Sequence, residues 1–188
     1  MFLKRDDPYA LVVGMTGVKM GDRLALVGCA HGGRLGAIAL KVGLSGRAVA
    51  VVADERAADR VRAGAAQAGV LVDVEIAPPT RLPLDPDSID LAVVDDAAGA
   101  VGGLRQPERS NAMRELARVV RPGGRVVLIG ALPPRGLGAL LKRGEASPPF
   151  VSSADAAKAL QAYGFRSVRT LAERDGLVFV EAIKPGRS

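Results

Sequence analysis

Short β-branched apolar runs alternate along the chain with amphipathic segments of helical length. Runs that are apolar at nearly every position are typical of strands buried on both faces of a sheet. The predicted strands are 23–28, 47–53, 70–76, 89–95, 125–130, 166–172 and 176–183. The predicted helices are 8–18, 33–43, 55–68, 107–120 and 153–163. The strand–helix–strand order predicts parallel strands joined by right-handed crossovers.

The last two predicted strands break this alternation, because only Asp175-Gly176 and a neighbouring residue or two separate them. A connection this short permits only an antiparallel pair. The sequence therefore predicts one α/β domain over residues 1–188: a doubly wound, Rossmann-like, mostly parallel sheet with an antiparallel C-terminal hairpin. RPGG at 121–124 is predicted to be a turn, and the Pro- and Gly-rich stretch 131–152 a mobile loop.

Composition narrows the functional classes. The 188 residues include one cysteine, Cys29, so an intrachain disulfide is excluded. They also include one histidine, His31, so one chain lacks the ligands for a zinc site. The net charge is +6, but the basic residues are scattered and aromatic residues make up 3%. We therefore expect no nucleic-acid partner. No apolar run is long enough to span a membrane, so we expect no membrane span and a cytoplasmic location.

A glycine-rich segment, GCAHGG at 28–33, follows the first predicted strand and leads into a helix. Small residues let the backbone approach a ligand, and the helix N-terminus favours a carboxylate or phosphate there. Asp54 follows the second strand, where an acid can accept hydrogen bonds from a ribose diol. Together these features indicate an adenosine-containing ligand. The alternatives are a tight strand-to-helix turn and an N-cap for the helix that begins at Glu55.

Three longer segments, 82–96, 114–130 and 159–186, carry a resemblance to a known family. They include the block L-x-R-V-x-R-P-G-G at 116–124 and the terminal hairpin. The chain resembles class I S-adenosylmethionine-dependent methyltransferases, above all the small ones of ubiquinone and menaquinone biosynthesis. The resemblance implies a seven-stranded sheet, S-adenosylmethionine as cofactor and methyl transfer to a small molecule. GCAHGG also reads as G-x-A-x-x-G, the loop of a nicotinamide-dependent oxidoreductase, which remains an alternative.

The resemblance also implies a set of cofactor-binding residues. The loop would lie under the methionine and ribose, Asp54 would bind the ribose hydroxyls with Glu55 beside it, and Asp95 would form the floor of the site. Ala77 and Pro78 would line the adenine. The full set is Gly28, Cys29, Ala30, His31, Gly32, Asp54, Glu55, Ala77, Pro78 and Asp95.

The chain departs from the family pattern at three positions. Leu26 replaces an acid in the first strand, Ala30 replaces the middle glycine, and Pro78 stands where an acid usually meets the adenine amino group. Each lost hydrogen bond to a charged partner is worth about 1.5–3 kcal/mol. A second hypothesis is therefore a degenerate methyltransferase-like binding or scaffold protein without catalysis.

Methyl transfer from a sulfonium needs proximity more than a dedicated side chain. The catalytic residue is therefore unknown from sequence, and the candidates for a base are His31, Asp95 and Asp96. The alternatives are a helix-capping or solvent-facing histidine and two loop acids that receive N–H groups. Few residues precede the first strand or follow the fourth, where relatives carry substrate lids, so a homodimer that closes the site is also possible.

Overall fold

A computed structural model of the protein describes residues 7–132 and 153–186 and has the predicted alternation of elements. Its strands are β1 Arg23–Val27, β2 Arg47–Val52, β3 Asp73–Ile76, β4 Ile89–Asp95, β5 Val120–Ala131, β6 Arg166–Arg174 and β7 Leu177–Ile183. Its helices are α1 Ala10–Thr16, α2 Gly32–Leu40, α3 Glu55–Ala68, α4 Glu108–Val119 and α5 Ser153–Ala162. The predicted mobile loop 131–152 lies outside the described residues from residue 133 onward.

The strands form one seven-stranded sheet in the order β3-β2-β1-β4-β5-β7-β6. Strands β3, β2, β1, β4 and β5 pair in parallel, whereas β7 is antiparallel to both β5 and β6. The predicted fold class, a doubly wound sheet with an antiparallel C-terminal hairpin, is confirmed. The strand order reverses between β1 and β4, and this is where open α/β sheets bind ligands.

Two apolar clusters cover the two faces of the sheet. Leu24 and Leu26 of β1 lie in the cluster that also holds residues of α1, α2 and α3. Ala25 and Val27 lie in the other cluster, with residues of α4 and α5. The alternation explains why β1 is apolar at every position after Arg23: both faces of the strand are buried.

The hairpin between β6 and β7 turns as the sequence predicts. Asp175 and Gly176 both have positive φ, 55° and 76°. Positive φ at both central residues is the requirement of a type I′ turn, and Asp-Gly satisfies it. The turn thus fixes the register in which Arg174 pairs with Leu177.

Two predicted boundaries are wrong for a physical reason. The segment 121–124, predicted as a turn, belongs to β5. The reason is a pair of hydrogen bonds with Lys184: the N–H of Gly123 donates to the Lys184 carbonyl at 2.8 Å, and the N–H of Lys184 donates to the Gly124 carbonyl at 2.9 Å. Strand β3 begins at Asp73 rather than 70, because the N–H of Val70 bonds back to the Ala65 carbonyl and completes the C-cap of α3.

Helix α1 begins at Ala10, two residues later than predicted. The side chain of Asp7 accepts the N–H of Tyr9 at 2.9 Å, so it orders the turn before the helix instead of capping it. Among the described residues, no helix has both the length and the apolar character needed to cross a membrane.

Candidate cofactor site

A cleft of about 130 Å³ opens at the carboxyl ends of β1, β2 and β4. It is lined by Val27, Gly28, Cys29, Ala30, Val51, Val52, Ala53, Asp54, Ala57, Arg60, Ala77, Pro79, Asp95, Ala98 and Ala100. Ligand pockets usually begin at about 300 Å³, so a nucleoside-sized ligand would also extend over exposed residues at the rim. Of the predicted cofactor set, Gly28, Cys29, Ala30, Asp54, Ala77 and Asp95 line this cleft.

Gly28 packs tightly against the chain that follows β4. Its φ is +79°, and a Cβ there would lie 2.7 Å from the Cβ of Ala100 and 2.9 Å from the carbonyl oxygen of Asp95. Both the backbone conformation and the contact therefore require glycine. The place that a side chain would fill is already taken by Ala100 and by the backbone that follows β4.

Asp54 lies at the rim, directly after β2. Its Oδ1 accepts the N–H of Ala57 at 2.8 Å and caps α3. A carboxylate has four lone-pair positions, so capping and ribose binding are compatible. Glu55 lies outside the cleft lining, on the exposed part of α3, and its carboxylate accepts a hydrogen bond from Arg62 at 2.7 Å.

The loop between β1 and α2 is held by Asp95, at the end of the neighbouring strand β4. Oδ2 of Asp95 accepts the N–H of Ala30 at 2.9 Å, and Oδ1 accepts from Nη1 of Arg34, also at 2.9 Å. The side chains of Asp95 and Arg34 are only 9% and 14% exposed. This buried ion pair ties the first turn of α2 to the end of β4.

Cys29 has a structural position in the same loop. Its side chain is buried, and its carbonyl accepts from Nε of Arg60 at 3.2 Å. Burial, with a smaller contribution from the negative charge of Asp95, raises the pKa of the Cys29 thiol. A thiol held protonated is a poor nucleophile, which agrees with a packing role.

His31 caps α2 and lies outside the cleft lining. Its Nδ1 accepts the N–H of Arg34 at 3.4 Å, and its ring lies 5.7 Å from the ring of Tyr9. Accepting that bond requires an unprotonated Nδ1. The lone pair that a base would use is thus directed at the helix N-terminus.

Asp96 is buried below the end of β4. Its Oδ1 accepts the N–H groups of Val101 and Gly102 at 2.7 and 2.8 Å, which fixes the turn that follows a 3₁₀ segment at Asp96–Ala98. Its Oδ2 has no hydrogen-bond partner among the described residues. Burial raises the pKa of Asp96, although these backbone N–H groups oppose the shift.

Gly32 serves a helix contact rather than the cleft lining. A Cβ at Gly32 would overlap the carbonyl of Arg60, and a Cβ at Gly64 would overlap the carbonyl of Gly32. The backbones of α2 and α3 therefore touch at these two glycines. This close approach brings Arg60 of α3 to the carbonyl of Cys29.

After β3, Ala77 and Pro79 line the cleft, whereas Pro78 does not. Leu26, at the position where the resemblance implies an acid, is buried in the cluster beneath α2 and α3. The sequence interpretation missed Arg34 and Arg60. Neither falls in a glycine or acid motif, and the partner of Arg34 lies 61 residues away.

Comparison with known proteins gives the family of the chain. Residues 26–128 match the family described as "Methyltransferase domain". An S-adenosylmethionine-dependent methyltransferase from Aquifex aeolicus has a similar fold (TM-score 0.73, 22% identity, 96% of this chain and 95% of that one). So does the YcgJ protein of Bacillus subtilis (TM-score 0.67, 15% identity, 95% and 98%).

A curated relative from Streptomyces fradiae, described as an uncharacterized 37.1 kDa protein in transposon TN4556, is 32% identical over 108 residues. That match covers 57% of this chain and 30% of the relative, so the chain spans about a third of that protein's length. The family match covers more than half of the chain. The chain belongs to the methyltransferase domain family, which confirms the resemblance to class I S-adenosylmethionine-dependent methyltransferases.

Proposed function

We propose that this protein is a methyltransferase that binds S-adenosylmethionine in the cleft and methylates a small molecule. The observation that carries the proposal is that Gly28, directly after β1, and Asp54, directly after the neighbouring strand β2, line the same cleft. A glycine-containing turn beside a carboxylate suits a ribose and the group attached to it. Six of the ten residues expected to contact the cofactor line this one cleft.

When bound, S-adenosylmethionine supplies an electrophilic methyl group on a sulfonium. The protein's part is to hold cofactor and acceptor close together and to exclude water. The three candidates for a base each have a structural partner already. Asp95 contacts Arg34, and His31 accepts a hydrogen bond at the N-terminus of α2. Asp96 accepts the backbone N–H groups of residues 101 and 102. Proximity, rather than a strong base, therefore accounts best for the proposed reaction.

A small-molecule acceptor is supported by the resemblance to quinone-pathway methyltransferases and by the scattered distribution of basic residues. The S-adenosylmethionine-dependent methyltransferase of Aquifex aeolicus has nearly the same length, since each chain covers at least 95% of the other. The proposal includes a second copy of this chain as the cover of the site, and analytical ultracentrifugation of the full chain would measure its oligomeric state.

Calorimetric titration of the full chain with S-adenosylmethionine, S-adenosylhomocysteine and NAD tests the proposal. We expect binding of the first two ligands at micromolar concentration and no binding of NAD. Binding of NAD alone would favour the oxidoreductase hypothesis. Absence of binding with all three would contradict the proposal and favour the degenerate binding or scaffold protein.

A further inference from the structure

One end of the cleft carries an ion pair whose charges suit the two ends of an amino acid: Asp95 lines the cleft, and Arg34, which is not part of the lining, contacts Oδ1 of Asp95. Strand order places Asp54 after β2 and Asp95 after β4, with β1 between them. Neighbouring strands are about 4.8 Å apart, so the two strand ends are separated by roughly 10 Å. A ligand whose ribose contacts Asp54 would therefore reach Asp95 with its other end and, just beyond the cleft lining, the guanidinium of Arg34 that contacts Asp95.

In the proposed cofactor that other end is a zwitterion, with an α-ammonium and a carboxylate. The family acid that would help to hold it is replaced by Leu26. Arg34 and Asp95 carry the same two charges in complementary order, in contact with each other at 2.9 Å and largely shielded from water. We propose that Arg34 binds the carboxylate of the cofactor's amino acid group while Asp95 accepts its ammonium.

The hydrogen-bonding capacity of the pair permits this. Arg34 uses Nη1 for Asp95, and a guanidinium has further N–H groups in a planar fork that matches a carboxylate. Each oxygen of Asp95 has a second lone-pair position beyond its bond to Arg34 or Ala30. The zwitterion adds one charge of each sign, so no buried charge is left unpaired.

Position along the helix supports the assignment. Arg34 lies in the first turn of α2, where its backbone N–H is accepted by His31. The helix N-terminus adds positive potential at the place assigned to the carboxylate. This inference rests on the proposed function, and it makes Arg34 the residue that distinguishes the whole cofactor from its nucleoside part.

The test compares S-adenosylhomocysteine with 5′-methylthioadenosine, which lacks the amino acid group, by calorimetry on the full chain. In Arg34→Gln we expect the affinity for S-adenosylhomocysteine to fall about tenfold to a hundredfold. The affinity for methylthioadenosine should stay within about twofold of wild type, since that ligand makes no contact with the pair. Arg62→Gln, at an exposed residue of α3 paired with Glu55 and Asp59, should change neither affinity.

A double variant separates binding from folding. Arg34→Gln alone leaves Asp95 buried without its partner, which destabilises the fold, whereas Arg34→Gln with Asp95→Asn removes both charges. If the pair binds the zwitterion, the double variant regains thermal stability but not affinity for S-adenosylhomocysteine. Recovery of both would overturn the assignment.

Three further outcomes would also overturn it: equal losses for both ligands in Arg34→Gln, no change, or tighter binding of S-adenosylhomocysteine. The last result would mean that the ion pair blocks the cleft. If wild type binds neither ligand, the proposed function itself fails. If wild type binds both and Arg34→Gln does not discriminate between them, only the role of Arg34 fails.

Discussion

The N–H of Ala57 donates to Oδ1 of Asp54 at 2.8 Å, so the carboxylate that we assign to the ribose is also the N-cap of α3. The two roles use different properties of one side chain. Capping needs a single oxygen acceptor, which serine also supplies, whereas a diol is held best by a charged carboxylate. Substitutions at this position can therefore separate stability from binding.

Asp54→Ser is expected to keep the stability of the fold and to weaken S-adenosylhomocysteine binding by about tenfold to a hundredfold, because the cap is retained and the charged acceptor is lost. Asp54→Ala should lose the same affinity and also about 1 kcal/mol of unfolding free energy. Calorimetry and urea unfolding measure the two effects. Unchanged binding in Asp54→Ser would reduce Asp54 to a cap.

Gly28→Ala tests how much the close packing at Gly28 contributes to stability, with Gly69→Ala as the matched control. Gly28 and Gly69 have similar φ, +79° and +68°, but a Cβ at Gly69 meets nothing within 4 Å, whereas one at Gly28 meets Ala100 and Asp95. Gly69→Ala should cost about 1–2 kcal/mol for the left-handed backbone alone. Gly28→Ala should cost roughly 1–3 kcal/mol more, because the contacts are too close. Equal losses in urea unfolding would show that the contact at Gly28 is unimportant.

Two helical glycines should respond to alanine with opposite signs. At Gly14 of α1 a Cβ meets nothing within 4 Å, so Gly14→Ala should stabilise the protein by about 0.5–1 kcal/mol through backbone entropy. At Gly64 a Cβ overlaps the backbone of Gly32, so Gly64→Ala must separate α2 from α3 and should cost about 2 kcal/mol or more. Thermal unfolding of both variants measures the difference. Stabilisation in Gly64→Ala would mean that the helices are free to move apart.

Asp90 should give the protein a pH-dependent stability. Hydrogen bonds from Arg23, and secondarily from Arg121, hold the pKa of Asp90 well below its ordinary value of 3.8, against the opposing effect of burial. A lowered pKa in the folded state stabilises the protein above that ordinary value, and the contribution is lost as pH falls toward the folded pKa. Asp90→Asn should therefore cost about 2 kcal/mol at neutral pH and progressively less below pH 3.8.

The control for that prediction is Asp73→Asn, at the same end of the sheet. The Arg47–Asp73 pair is exposed, with side chains 72% and 55% accessible, so its loss should cost at most about 1 kcal/mol. Urea unfolding across the acid range gives both curves. A cost for Asp90→Asn that does not shrink with acid would assign its effect to shape rather than charge.

The sheet could be predicted because local and tertiary requirements agree along most of the chain. Apolar runs such as 89–95 need burial on both faces, and Asp175-Gly176 dictates its own turn. Helix α3 matches the predicted range 55–68 because Asp54 caps its start and Gly69 ends it. The start of β5 at Val120 was not predictable, since it depends on hydrogen bonds with Lys184 at the far end of the chain.

The candidate site also has a part that the local sequence predicts and a part that it does not. Gly28 and Asp54 are marked by their place after a strand, which a sequence shows directly. The contact of Arg34 with Asp95 joins residues 61 positions apart, and the contact of Arg60 with Cys29 depends on how closely α2 and α3 approach. Nothing local distinguishes these two arginines from the many others. The sequence therefore predicted the position of the cleft, whereas the Arg34–Asp95 ion pair at its end could be found only from the folded structure.

The position of β7 has a consequence for biosynthesis. It is the last of the seven strands to leave the ribosome, yet it lies between β5 and β6 rather than at an edge. Until residues 177–183 emerge, β5 presents an unpaired edge and β6 has no neighbour in the sheet. Nascent chains that stall before this point would expose a template for pairing with other chains. The sheet is therefore complete only once its last strand has been synthesised.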